Sequence, residues 1–378
     1  MVLMFRDQAK DEEIPCLPGP PEEVCMVGLY IGATSSFAGK NMVTLGLGLK
    51  LQQEGYNLGY MKPVGALPRK QDGSVGDDDA FFIQDVLSLK ADPGLVTPVV
   101  VDHDFKVKAF SGQCGDLMGD IKQAYTTLGR DKDLMLVAGS GSMYSGKYCN
   151  VDGVTLTREL GLKVVVIDRY KKELNYDTLV VLREVLGERM LGVVLNDIPP
   201  AFMDELQKLI IPFLERSGVK VLGVIQNDPL MSAIKVGDLA EKLGGKLLTA
   251  QEQSDRVVEN FLIGTMQVEN FMTHFRRSKS SAIIVGGDRS DVQLVALEGK
   301  CQCLVLTGNL YPNDIILTRA EVLEVPIVVV REDTYSVAKR MEAILSRHKL
   351  RDVVKIKQGL QLVSQAVDLE SLKKGLGI

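Results

Sequence analysis

The sequence predicts an α/β fold in which a parallel sheet, covered by helices on both faces, is followed by a second, smaller α/β unit. Three observations lead there. Short runs that are apolar on both faces, such as residues 134–139 and 163–168, alternate with segments of helical period, the pattern of a parallel sheet buried on both sides. The alternation changes near residues 243–254 and then resumes as a new strand–helix series. A glycine- and serine-rich turn joins the first strand to the first helix, at the carboxyl end of the strands, where open parallel sheets hold their ligands.

In chain order, strands are expected at residues 26–32, 57–64, 134–139, 163–168, 190–196 and 220–225, with helices at 40–53, 79–89, 177–186 and 201–216. A long helix is expected over 255–275, from the spacing of Val258, Phe261, Leu262, Met266 and Val268. The second series reads as a compact three-strand unit, with strands at 281–286, 303–307 and 326–330 and helices at 291–297, 315–322 and 335–345. It closes in an amphipathic helix from 352 to about 367. The expected division is a poorly ordered leader at 1–24, one domain at 25–245 and a second at 246–378.

Composition removes several function classes. Lys and Arg number 44 against 49 Asp and Glu, so no basic excess exists to neutralise a nucleic-acid backbone. Apolar runs such as 134–138 and 164–167 are far too short to span a bilayer, so no membrane partner is expected. The first two dozen residues lack the apolar core and cleavage site of a secretory signal. Six cysteines form no C-x-x-C pair and no metal-like spacing with the three histidines, which fits a reducing cytoplasm. Cys301 and Cys303 at a strand start are a minor redox candidate against the plain reading of small buried hydrophobes.

The stretch GATSSFAGKN (32–41) approximates G-x-x-x-x-G-K-[ST]. Thr34 replaces the first glycine, and Asn41 replaces the hydroxyl residue that would hold Mg²⁺. Gly39 and Lys40 directly precede a helix, so its first-turn N–H groups and dipole face whatever the lysine binds. Thr34, Ser35, Ser36, Ala38, Gly39, Lys40 and Asn41 form the candidate phosphate-binding loop. A plain turn with an exposed lysine is the competing reading, which the strand–loop–helix context disfavours. Gly46 and Gly48 are expected to permit close packing on the sheet. Lys62, ending the next strand, can neutralise a second phosphate or a carboxylate facing the loop. Asp77, Asp78 and Asp79 suit a helix N-terminus, and Asp79 is alternatively a candidate Mg²⁺ ligand.

The order of a strand, T-x-x-x-x-G-K, G-Y-x-K-P-V around Lys62 and an Asp-Ala helix start resembles the dethiobiotin synthetase-like P-loop family. LMLVAGSGS (134–142) is similar to that family's L-V-E-G-A-G strand end, VVLNDIPP (193–200) to its N-D motif and LGVIQND (222–228) to its L-G-x-I-P strand end. In the second unit IIVGGDRSDVQLVAL (283–297), LVLTGN (304–309) and EDTYSVAKRM (332–341) resemble the DRTGG domain. The pairing is the layout of the amino-terminal half of long phosphate acetyltransferases and of some stand-alone proteins. The resemblance implies a parallel-sheet P-loop NTPase-like domain followed by a smaller α/β DRTGG-like domain, with ATP or another nucleotide as ligand. It further implies that Asn196, with Asp197, reads adenine, and that the second unit serves sensing or homo-oligomer assembly, with a possible small-molecule effector. The candidate effector residues are Gly287, Asp288, Arg289 and Asp291; Arg289 can hold an anion or a carboxylate, and Asp291 can cap a helix. Acyl transfer in the long enzymes needs a further large domain, so it is not implied here.

Two departures concern the metal. The hydroxyl residue of the loop is Asn41, and the glutamate of L-V-E-G is Ala138. Mg²⁺ favours carboxylates and water beside substrate phosphates, so Mg²⁺ use is expected to be weakened. The expected function is a nucleotide-binding regulatory or sensor protein with weak or absent NTP hydrolysis. The alternative is an ATP-dependent synthetase activating a carboxylate or carbamate, and a third reading is an assembly subunit with vestigial pockets.

Overall fold

The structure, a computed structural model, describes residues 26–71, 73–346 and 353–378; the expected leader lies outside them. The first unit is built on six strands: β1 (Val27–Ala33), β2 (Leu58–Met61), β3 (Leu134–Ala138), β4 (Lys163–Arg169), β5 (Met190–Ile198) and β6 (Val221–Gln226). They lie in the order β6–β5–β4–β1–β3–β2, and every pairing is parallel. Leu29 and Ile31 of β1 belong to the core on one face, while Tyr30 belongs to the core on the other. Alternate side chains of one strand therefore enter two apolar layers, which is why the sequence reads as continuous hydrophobic runs.

Helix α1 (Lys40–Gln53) and helix α2 (Asp78–Val86) cover the Leu29 face. The helix expected over 201–216 forms in pieces, with a π-helical segment at Leu206–Ile210 before the α-turns of Ile211–Arg216. Pro212 explains the break, because it supplies no N–H and crowds the preceding turn.

The second unit differs from expectation in two ways. Its sheet has five strands: β7 (Lys246–Leu247), β8 (Asn260–Ile263), β9 (Ser281–Gly286), β10 (Cys303–Thr307) and β11 (Ile327–Val329), ordered β7–β11–β10–β9–β8. The helix expected over 255–275 forms only as Val268–Phe275, while Val257–Val258 and Asn260–Ile263 are strand and a turn follows them. Asn260 to Ile263 pair in parallel with Ser281 to Ile284. The apolar positions Val258, Phe261 and Leu262 satisfy either period over so short a run, and the open edge of β9 decides the outcome.

The closing helix also departs from its expected place. It forms as α8 (Val353–Ala366), followed by α9 (Leu369–Leu376), but both pack on the first unit. Val363, Leu372 and Leu376 join the core that contains Leu29 and Ile31, and Asp368 N–H donates to the Leu222 carbonyl at 2.8 Å. Burying such side chains contributes roughly 1.5–3 kcal/mol each before ordering costs, so these helices are part of that core.

Gly46 explains the fit. A Cβ there would stand 2.5 Å from Val363 Cγ1, whereas one on Gly48 would meet Leu87 and Leu136 at 3.0–3.2 Å. Gly48 thus packs toward the sheet as expected, while Gly46 admits α8. Gly46→Val is expected to lower unfolding stability by about 1–3 kcal/mol through overpacking. A double variant of Gly46→Ala with Val363→Ala is expected to be more stable than the summed single effects; strict additivity in thermal unfolding would refute the contact.

Candidate functional site

The loop after β1 ends at Gly39, whose φ of 105° is in the left-handed region that favours glycine. Gly39 is the N-cap of α1, no side chain caps that helix, and its first turn holds no acidic residue. Its leading N–H groups are therefore left for an outside acceptor. By contrast, Asp77 caps α2, accepting from Asp79 N–H at 2.9 Å and Ala80 N–H at 3.2 Å.

A cavity of about 440 Å³ opens over this helix end, within the roughly 300–1,000 Å³ usual for small-molecule sites. Ser36, Ala38, Gly39, Lys40 and Asn41 line it from the loop side, and Gly139–Gly141 from the end of β3. Ile225, Asp228 and Met231 close another side, together with Leu345 and Leu362. Leu345 belongs to helix Thr334–Ser346 of the second unit, where it also packs against that unit's core.

Lys40 Nζ donates to the Gly141 carbonyl at 2.6 Å. Burial, reinforced by the charge of Lys62 and partly offset by Asp79, lowers its pKa to about 8. An anion prefers the ammonium form, so affinity for tripolyphosphate is expected to fall as pH rises through about 8, by up to tenfold per unit. A flat profile between about pH 7.5 and 9.5 would show that Lys40 carries no ligand charge.

The expected loop residues divide. Thr34 and Ser35 do not line the cavity. Thr34 donates its hydroxyl to Asp168, a fully buried carboxylate that also accepts from Asn175 N–H at 2.8 Å and Asn175 Nδ2 at 2.7 Å. Thr34 is thus tied to the end of β4. The Ser35 hydroxyl is buried without a hydrogen-bond partner among the described residues. Lys62 lines the cavity, but its ammonium lies 2.6 Å from Asp77 and 3.4 Å from Asp79. Its charge is already balanced within the protein.

Asn196 and Asp197 also line the cavity. Asn196 Nδ2 donates to the Ala38 carbonyl at 2.8 Å. Asp197, with φ of 64°, pairs with Arg169 at 2.8 Å, and Arg169 in turn donates to the Phe37 carbonyl at 3.2 Å. The sequence reading missed Arg169 and Asp168. Their signal was position alone, at the carboxyl end of a buried strand.

The candidate effector residues of the second unit stand apart from this cavity. Arg289 forms two 2.9 Å bonds to Asp291 and one of 3.1 Å to the Met266 carbonyl. The carboxylate Arg289 was expected to hold is thus its neighbour two residues on, and the pairing holds Asp291 below the usual carboxylate range. No side chain caps the helix Ser290–Glu298, so Asp291 does not take its expected capping role. Gly287 is required by approach, since a Cβ would stand 2.1 Å from the Leu310 carbonyl oxygen. Asp288 is exposed. Cys301 and Cys303 are buried, and burial raises both thiols, Cys301 to about 12, which makes them poor redox centres.

Asn41 and Ala138 supply no carboxylate, Asp79 leans on Lys62, and no cluster of three or more His, Cys, Asp or Glu suited to a metal occurs among the described residues.

A family model described as an AAA domain matches residues 27–235, more than half of the chain. This chain belongs to that AAA-domain family. A DRTGG domain model matches residues 238–344 directly after it. Over 363 residues the chain is 21% identical to the phosphate acetyltransferase of Synechocystis sp., covering 91% of this chain and 51% of that protein. It therefore spans about half the length of that relative. Its AAA domain is also similar to the ATP-dependent dethiobiotin synthetase of Methanocaldococcus jannaschii, 24% identical over 208 residues, which cover 53% of this chain and 94% of that enzyme. Among solved structures, the MinD cell division protein of Aquifex aeolicus matches at 12% identity with a TM-score of 0.33, over 54% of this chain and 84% of that one. Among the described residues of this AAA-domain protein, no helix is long and apolar enough to cross a membrane.

Proposed function

We propose that this chain is a nucleotide-binding regulatory protein whose AAA domain holds a nucleotide's phosphates and hydrolyses them slowly or not at all. The observation that carries this reading is the uneven make-up of the cavity's phosphate end. An uncapped helix start and a partly buried Lys40 remain there, while Asn41 and Ala138 occupy the two positions that would serve a metal. Phosphoryl transfer depends on metal and positioned charge at the bridging oxygens, whereas binding needs only N–H groups and a cation. Leu345 supports the regulatory part, because one side chain contributes both to the cavity wall and to the packing of the DRTGG unit. An effector at Arg289 would have to displace Asp291 from a two-bond pairing.

An ATP-dependent synthetase is the second reading. Asp79 favours it, as a carboxylate lining the cavity close enough to influence Lys40. Titration with ATP, ADP, GTP and nicotinamide nucleotides, with and without Mg²⁺, separates the two. Binding that persists without Mg²⁺, with turnover near background, is the expected result. Strictly Mg²⁺-dependent binding with phosphate release at about 1 s⁻¹ or faster would overturn it in favour of the synthetase.

A further inference from the structure

We infer that Asn196 is a positioning residue for the phosphate loop, acting on a nucleotide's phosphates through the loop backbone. The inference rests on the nucleotide reading above. Asn196 sits near the carboxyl end of β5, only 7% exposed, and its Nδ2 donates to the Ala38 carbonyl at 2.8 Å. A carbonyl oxygen only accepts, so the amide must present nitrogen there; the flipped amide would set two acceptors face to face. The loop is seated closely on that nitrogen. A Cβ on Gly39 would stand 2.4 Å from it, so the bare backbone of Gly39 is what admits the contact. The strand end is itself fixed, since the Asn196 carbonyl accepts from Tyr170 N–H at 2.9 Å.

A second tie runs beside the first. Arg169, at the end of β4, donates to the Phe37 carbonyl at 3.2 Å while Asp197 holds its guanidinium at 2.8 Å. Two successive loop carbonyls are thus drawn toward the ends of β4 and β5. The described peptide bonds are trans, and in a trans peptide the C=O and the following N–H point in opposite directions. The N–H groups of Ala38 and Gly39 are therefore turned away from Asn196 and Arg169. This arrangement holds carbonyl dipoles off an anion and presets the N–H groups that would meet it.

Binding of ATP, GTP and inorganic tripolyphosphate to the full chain tests the assignment, by calorimetry at one ionic strength. Asn196→Ala is expected to weaken all three, the base-free tripolyphosphate included, by about tenfold for one lost hydrogen bond. Asn196→Leu, which keeps most of the side-chain volume, is expected to do the same. The ligand-free melting temperature of each variant separates loop positioning from loss of fold. A variant that changes the ATP-to-GTP ratio yet binds tripolyphosphate as the parent does would overturn the inference, as would unchanged affinity for all three. A parent protein that binds none of them would remove the nucleotide reading itself, and this inference with it.

Discussion

Replacing Lys40 by alanine is expected to weaken nucleotide and tripolyphosphate binding by roughly 10- to 100-fold, the value of one charge-assisted hydrogen bond to phosphate. The geometry makes the loss specific. Lys62, the other lysine lining the cavity, is bound to Asp77 and Asp79, so it cannot compensate without breaking a buried ion pair. Fold stability is expected to hold or rise, because Lys40 spends its charge in a buried setting that already lowers its pKa to about 8. The unfolded chain keeps a proton on this lysine to higher pH than the folded one. Its contribution to stability is therefore least favourable below about pH 8 and improves as pH rises toward the ordinary lysine value. Calorimetric titration and thermal unfolding of the same variant measure both effects. Binding unchanged within about twofold would remove Lys40 from the site.

The largest stability effect is expected at Asp77. This fully buried carboxylate accepts from Lys62 Nζ at 2.6 Å, from the N–H groups of Leu67 and Asp79 at 2.9 Å, and from Ala80 N–H at 3.2 Å. Asp77→Ala leaves a buried ammonium short of its nearer partner and strips the cap from α2. Breaking a buried pair by removing one side costs about 3–5 kcal/mol, and loss of an N-cap alone about 1 kcal/mol. Asp77→Asn keeps an oxygen for the cap but removes the charge, so it is expected to fall between the two. A melting temperature for Asp77→Ala within about 2 °C of the parent would show that the pair contributes little.

The parallel sheet was legible because burial on both faces leaves an uninterrupted apolar record, as at Val164 to Ile167. The turn from β1 into α1 was legible because Gly39 and Lys40 stand between a strand and a helix. What the sequence concealed depended on partners distant along the chain. The apolar residues near Phe261 fitted a helix until the edge of β9 offered them a strand. The amphipathic face of α8 declared that it packs, without declaring that Gly46 makes room for it. Lys62 read as a cation for a phosphate or for a carboxylate facing the loop, and its pairing with Asp77 exists only once the intervening segment folds back. Thr34 matched a phosphate-loop position, yet its hydroxyl is committed to Asp168, a contact that nothing in the local pattern announces.

The return of α8 and α9 to the first core carries a consequence for biosynthesis. The surface of α1 around Gly46 finds its covering residue, Val363, only after the DRTGG unit in the chain. A ribosome that has released the whole AAA domain has therefore not yet released the material that completes it. Until α8 and α9 emerge, α1 lacks the residues that cover its apolar flank. The DRTGG unit, made in the interval, has its strands and helices to hand and can close first. The core of the AAA unit is thus begun before the DRTGG unit in the chain and receives its last residues after it.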